Sequence, residues 1–223
     1  MRILSHLHLA VLCGIVTLMA GCAAPRKVDY TAFRQAKPAS ILVLPPLNDS
    51  PDVNATFSVL AQSTYPLAEA GYYVVPVTLM AETFKQNGLS QPNDIHAVAP
   101  AKLKEIFGAD SALYIKITRY GTTYTVLSSA AVVAAEAQLV DLSTGALLWS
   151  GQAVASSDEG NNNSGGGLIG ALITAAVKQV MNNLSDASHK VAGVATGRLL
   201  SAGQPNGLLY GPRSPNYGKD TQN

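Results

Sequence analysis

The sequence predicts an α/β fold: a single three-layer-like domain whose mixed sheet has a parallel N-terminal βαβαα half and an antiparallel second half, closed by a long C-terminal helix. Three observations carry this. A short unbroken apolar run, Ile41-Leu42-Val43-Leu44, reads as a strand buried on both faces. The apolar period then becomes helical through residue 107, and after Gly108 it becomes two. Helices first and alternating strands afterwards make a layered α/β arrangement the natural solution.

The elements follow in order. Pro45-Pro46 closes the first strand. From Asn54 to Ala70, Phe57, Leu60, Ala61, Leu67 and Ala68 form an amphipathic stripe. Pro66 removes a backbone donor within it, which predicts a kink or a short second helix. Gly71 ends the helix, and Tyr72-Tyr73-Val74-Val75 before Pro76 supplies a second strand. Thr78 is placed to cap a helix carrying Met80 and Phe84, which Asn87-Gly88 stops. Pro100 opens another helix through Leu103, Ile106 and Phe107 to Gly108.

In the second half Leu113, Ile115 and Ile117 alternate with Tyr114, Lys116 and Thr118, and the strand continues past Gly121 through Tyr124 and Val126. Val133, Ala135, Ala137 and Leu139 form the next strand, and the turn Ser143-Thr144-Gly145 leads into a third over Leu147 to Val154. Ser156 to Gly167 reads as a flexible loop. Leu172, Ala176, Val180, Leu184, Val191 and Val194 then mark one long helix, or two broken near residues 186–188. The predicted organisation is a signal peptide over 1–21, a spacer over 22–38, the α/β domain over 39–203 and a flexible tail over 204–223.

Arg2, the apolar run Leu9 to Ala20 and the small residues before Cys22 have the composition of an export signal. Met19-Ala20-Gly21-Cys22 resembles a lipobox, with Met19 where that pattern usually has Leu. The resemblance implies diacylglycerol on Cys22 and a third acyl chain on its amino group after cleavage. Three chains hold a protein on a membrane far more firmly than the two signals that already suffice. Cys13 leaves with the signal, so an acylated Cys22 leaves no free thiol and no internal disulfide. Ala23 stands where an Asp would signal inner-membrane retention, which implies an outer-membrane destination.

Removing the signal removes Arg2 and no acid, so the 15 basic residues become 14 against 14 acidic ones. That balance gives no electrostatic reason to expect nucleic acid as a partner. The mature chain has two histidines, His96 in a predicted loop and His189 on a predicted helix. Neither has metal-ligand or triad spacing, so both read as solvated surface residues, with no catalytic residue, no metal and no cofactor expected. The Gly165–Gly170 stretch lacks the Lys and Ser/Thr of a phosphate loop. Its G-x-x-x-G, Gly166 and Gly170, suits core packing or contact with another subunit. Asn48, Asp49 and Ser50 fall at the carboxyl end of the first parallel strand, the place where α/β sheets hold small ligands. Tyr72, Tyr73, Tyr114, Tyr120 and Tyr124 form a further candidate binding surface.

Ile41 to Pro46, the passage Pro66-Leu67-Ala68-Glu69-Ala70-Gly71-Tyr72-Tyr73-Val74 and the turn Ser143-Thr144-Gly145 together resemble a proteobacterial outer-membrane lipoprotein family of unknown function, of the vaccine-candidate type. More distantly, Gly108-Ala109-Asp110 and Asp141-Leu142-Ser143-Thr144-Gly145-Ala146-Leu147-Leu148 resemble the periplasmic domain of the curli-secretion lipoprotein and the lipoprotein activators of peptidoglycan synthases. The connections around residues 127–131 and 156–167 are shorter than the inserted barrel hairpins of the pore-forming relatives, since each bilayer-crossing strand takes about 9 to 11 residues. The resemblance implies a lipid-anchored accessory in envelope assembly or secretion, with envelope proteins, other lipoproteins or a second copy as partners. A periplasmic small-ligand-binding module is the alternative.

Overall fold

The computed structural model describes residues 28–124, 129–160 and 187–220. Cys22, the signal segment, Val126, Gly166, Gly170 and the first part of the predicted C-terminal helix lie outside them. Helix α1 (Thr31–Ala36) precedes β1 (Ser40–Val43) and the two-residue β2 (Leu47–Asn48), followed by α2 (Ala55–Glu69) and β3 (Tyr73–Val74). Then come α3 (Val77–Gln86), α4 (Pro92–His96) and α5 (Pro100–Phe107). The long strands β4 (Ser111–Tyr124), β5 (Ser129–Asp141) and β6 (Leu147–Ser156) lead, after a 3-10 turn, to α6 (Ala187–Leu200).

The strands form one mixed sheet in the order β3-β1-β4-β5-β6, with β2 also pairing β4. β1 lies parallel to β3 and β4, whereas β4-β5 and β5-β6 are antiparallel. This is the predicted division between a parallel and an antiparallel half. β1 and the start of β4 are covered on both faces, which is why Ile41, Leu42, Ala112 and Leu113 are all buried. Ile117 and Tyr120 sit opposite Ala135 and Val133 and face α2, while Tyr114 faces α4. Helices therefore cover both sides of the sheet.

Two motifs behind the distant resemblance are joints. Asp110 Oδ2 accepts hydrogen bonds from Ala39 N (3.0 Å), Ser40 N (3.0 Å) and Ser40 Oγ (2.8 Å), tying the start of β1 to the start of β4. Partial burial pulls the Asp110 pKa upward, but these donors outweigh it and hold the carboxyl below its ordinary value. Asp141 Oδ1 accepts from Ser143 N, Thr144 N and Thr144 Oγ1, which closes the β5-β6 turn, and Gly145 follows at φ 73.

Several expectations are corrected. Of the two outcomes expected at Pro66, the short second helix does not form, since α2 continues through it. The carbonyl it leaves without an amide donor, Gln62 O, lies 3.4 Å from Thr196 Oγ1 of α6, and Leu67 and Pro66 are buried. Thr78 is inside α3, whose N-cap is Pro76. The spacer is only partly a spacer: Tyr30 and Phe33 are in the core, and Tyr30 OH donates to Gly207 O at 2.5 Å. The tail is not free either. Leu208 and Leu209 are buried, Gly211 N donates to Ala70 O (2.8 Å) and Arg213 N to Gly71 O (3.1 Å). Two apolar side chains and a backbone ladder fix a segment whose Pro and Gly content suggests mobility.

Candidate functional site

Asn48, Asp49 and Ser50 do stand at the end of a parallel strand, but their polar groups are turned on one another. Asn48 Oδ1 accepts from Ser50 N (2.9 Å) and Ser50 Oγ (2.7 Å), and Asn48 Nδ2 donates to Asp52 O (2.8 Å). Asp49 pairs with Lys116 at 2.8 Å. This is a closed Asx turn that stabilises the β2 exit. The tyrosines are likewise dispersed. Tyr72 is buried and donates to Leu209 O (2.6 Å), Tyr73 lies under Arg213, and Tyr114 packs edge-on against His96. Burial, reinforced by Asp220 and Tyr217, pushes the Tyr72 phenol well above its usual range and keeps it a donor. The Tyr124 side chain lies outside the described residues.

Neither histidine is a solvated surface group. Half-buried His96 donates from Nε2 to Pro45 O at 2.8 Å, and its burial lowers its pKa despite that bond. His189 sits in a polar seam between α2 and α6. Gln62 Nε2 donates to His189 Nε2 (2.8 Å), which places the ring proton on Nδ1, facing Ser58 Oγ at 2.7 Å. Tyr120 OH also donates to Ser58 Oγ, at 2.9 Å. A serine beside a histidine invites comparison with a hydrolase. In this tautomer, however, the imidazole presents a proton to Ser58 where a general base presents a lone pair, and an amide stands in place of the orienting carboxylate. Gly193 makes room for the amide, since a Cβ there would lie 3.3 Å from Gln62 Oε1. The seam is built to seat α6 on α2. Sequence spacing could not reveal it, because Ser58 and His189 are 131 residues apart.

A surface feature stands out more clearly. Val53, Phe57 and Tyr65 are 80%, 72% and 71% exposed, and Ala61 between them is exposed as well. Steps of four residues place Phe57, Ala61 and Tyr65 along one ridge of α2, with Val53 in the turn just before the helix, and the ridge is directed away from the side that Val59, Leu60 and Leu67 bury. The apolar stripe expected of this helix is therefore divided: Leu60 and Leu67 serve the core, whereas Phe57, Ala61 and Ala68 face out. Contiguous exposed apolar side chains of this size mark contact surfaces. At the far edge of the sheet, Arg198 covers β6 by donating to Val154 O (2.7 Å) and pairing with Glu159.

Among the described residues no cluster of His, Cys, Asp or Glu could hold a metal ion, and no helix is long and apolar enough to cross a membrane. One cleft opens between α1 and the C-terminal segment, lined by Phe33, Arg34, Lys37, Leu209, Tyr210 and Tyr217, with Asp220 beside them.

Comparison with known proteins places this architecture. Residues 28–213 match the family model described as "Putative lipoprotein GNA1162-like". The chain is 56% identical over 185 residues to "Putative lipoprotein NMB1124/NMB1162" of Neisseria meningitidis serogroup B, covering 83% of this chain and 85% of that one. The crystal structure of lipoprotein GNA1162 from Neisseria meningitidis is 55% identical and superposes with a TM-score of 0.53, over 66% of this chain and all of that one. The PelC dodecamer structure from Paraburkholderia phytofirmans is similar at 15% identity and a TM-score of 0.40, covering 73% of this chain and 94% of that one.

Proposed function

The chain belongs to the GNA1162-like lipoprotein family, and from that premise we propose that it acts as a non-catalytic accessory in envelope assembly or secretion, lipid-anchored to the outer membrane through Cys22 and working by protein contacts. The observation that carries the contact role is the ridge Phe57–Ala61–Tyr65, apolar side chains held out on a helix whose opposite side is core, with exposed Val53 in the turn before it. The anchor role is supported by the residues around Cys22 and by the lipoprotein names of the relatives. The non-catalytic reading is supported by the His189 tautomer, which leaves Ser58 without a base. The ligand-module alternative at Asn48, Asp49 and Ser50 has less support, because those groups already bond to each other or to Lys116.

Crosslinked envelopes carrying Phe57→Asp, compared with wild type by affinity purification and mass spectrometry, test the contact role. Loss of specific co-purifying envelope proteins at unchanged protein level is expected, and an identical set of partners would sink it. For the anchor, Cys22→Ser should release a folded protein from the membrane fraction after a carbonate wash; retention would count against it.

A further inference from the structure

We propose that the cleft between α1 and the C-terminal segment binds a phosphate-bearing amphiphile. Its volume, about 380 Å³, falls within the range of small-molecule sites, roughly 300–1,000 Å³. Phe33, Leu209 and Tyr217 give it an apolar and aromatic wall, and Arg34 and Lys37 supply two positive charges. Both are exposed, and among the described residues neither cation makes an ion pair, whereas the partly covered Arg198 is paired with Glu159. The one acid in the lining, Asp220, is engaged by Tyr210 N at 3.1 and 3.3 Å. Two cations against one anion leave the cleft at +1, in a protein whose mature charge balance is zero.

Lys37 adds a separate argument. It closes α1 in the left-handed conformation at φ 45, a position that glycine or asparagine fills with less strain. Lysine at that φ places a cation in the cleft lining at a conformational cost, and strain of this kind marks functional positions. A guanidinium and an ammonium beside an apolar wall match a phosphate ester joined to a ring or a glycerol better than a bare ion.

The tether suggests where such a ligand comes from. Val28 N bonds Asn206 Oδ1 at 3.4 Å, next to the segment that lines the cleft. Six residue steps separate Val28 from Cys22, a span of at most about 22 Å. A chain acylated at Cys22 would therefore hold the cleft near a leaflet surface. The assignment of a lipid headgroup as source rests on the anchor reading, but the chemistry of the cleft does not.

Native mass spectrometry of the full, natively processed protein in an uncharged detergent tests both. The protein would be titrated with phosphatidylglycerol, phosphatidylcholine or inorganic phosphate, and Arg34→Gln/Lys37→Gln would be run in parallel. At least tenfold greater retention of phosphatidylglycerol than of phosphatidylcholine is expected, with a similar loss in the double variant. Inorganic phosphate retained as well as the lipid, and displacing it, would support the anion site and name a free phosphate compound as its source. Retention of phosphatidylglycerol and phosphate no greater than in the double variant overturns the proposal. The intact mass reports acylation of Cys22 in the same spectrum, so a failed anchor reading is seen separately from an empty cleft.

Discussion

Gly71 and Gly211 lie backbone against backbone: a Cβ on Gly211 would come within 2.6 Å of Gly71 O, and one on Gly71 within 2.9 Å of Gly211 O. Gly71 also stands at φ 95, where an L side chain is strained. This contact locks the C-terminal segment to the end of α2. Gly71→Ala should cost about 1–3 kcal/mol and undock the segment. Urea denaturation reads the first effect, and faster tryptic cleavage after Arg213 and Lys219 reads the second. Unchanged cleavage would show that the close approach of Gly71 and Gly211 does not lock the segment.

Trp149 lies across Gly151 on β6, where an added Cβ would stand 2.6 Å from the indole Cη2. The indole Nε1 donates to Asn206 O at 3.0 Å, and Trp149 as a residue is 2% exposed. Gly151→Ala should push the ring out of place, at a cost of about 1–3 kcal/mol. Because the chain has one tryptophan, a red shift in fluorescence emission reports the displacement directly.

Ser58 receives hydrogen bonds from both His189 and Tyr120. Ser58→Ala leaves those donors without their acceptor in a covered seam and should destabilise the fold by about 1–3 kcal/mol. A fluorophosphonate probe should leave Ser58 unlabelled in the folded wild-type protein. Covalent labelling at Ser58 would overturn the structural reading of the seam and reopen a hydrolase.

His96 sets an acid limit. Burial lowers its pKa from the ordinary 6.5, so the unfolded chain takes up a proton at a higher pH than the folded one. Its contribution is fully present above 6.5 and is lost as pH falls through the lower folded value. Denaturation midpoints should therefore drop on acidification below about 6.5, and His96→Gln should flatten that part of the profile. A profile with the same slope in both proteins would contradict this.

Much of the fold was legible because local signals and burial agreed. Pro100 and Gly108 bracket α5, with Gly108 left-handed at φ 66, and the alternation from Leu113 to Ile117 became β4. Where the reading failed, a partner distant in sequence decided the outcome. Pro66 survives inside α2 because α6 packs beside it, and the Pro- and Gly-rich segment after Gln204 docks because Gly71 leaves room for it. Leu208-Leu209 was the local hint of that docking. Periodicity marked Phe57 as apolar but could not say which side of α2 the core would take. The cleft was beyond reach for the same reason, since α1 and residues 209–220 meet only in the fold.

Val28 bonds Asn206, Tyr30 bonds Gly207, and Asn206 in turn holds Trp149. Tension applied at the N-terminal end would thus load the C-terminal segment before it reached the sheet. The first element to yield would be a peripheral clasp that can close again, and the long β4-β5-β6 ladder would remain mechanically shielded. A tether that tugs on such a clasp can drag the domain about without unravelling it.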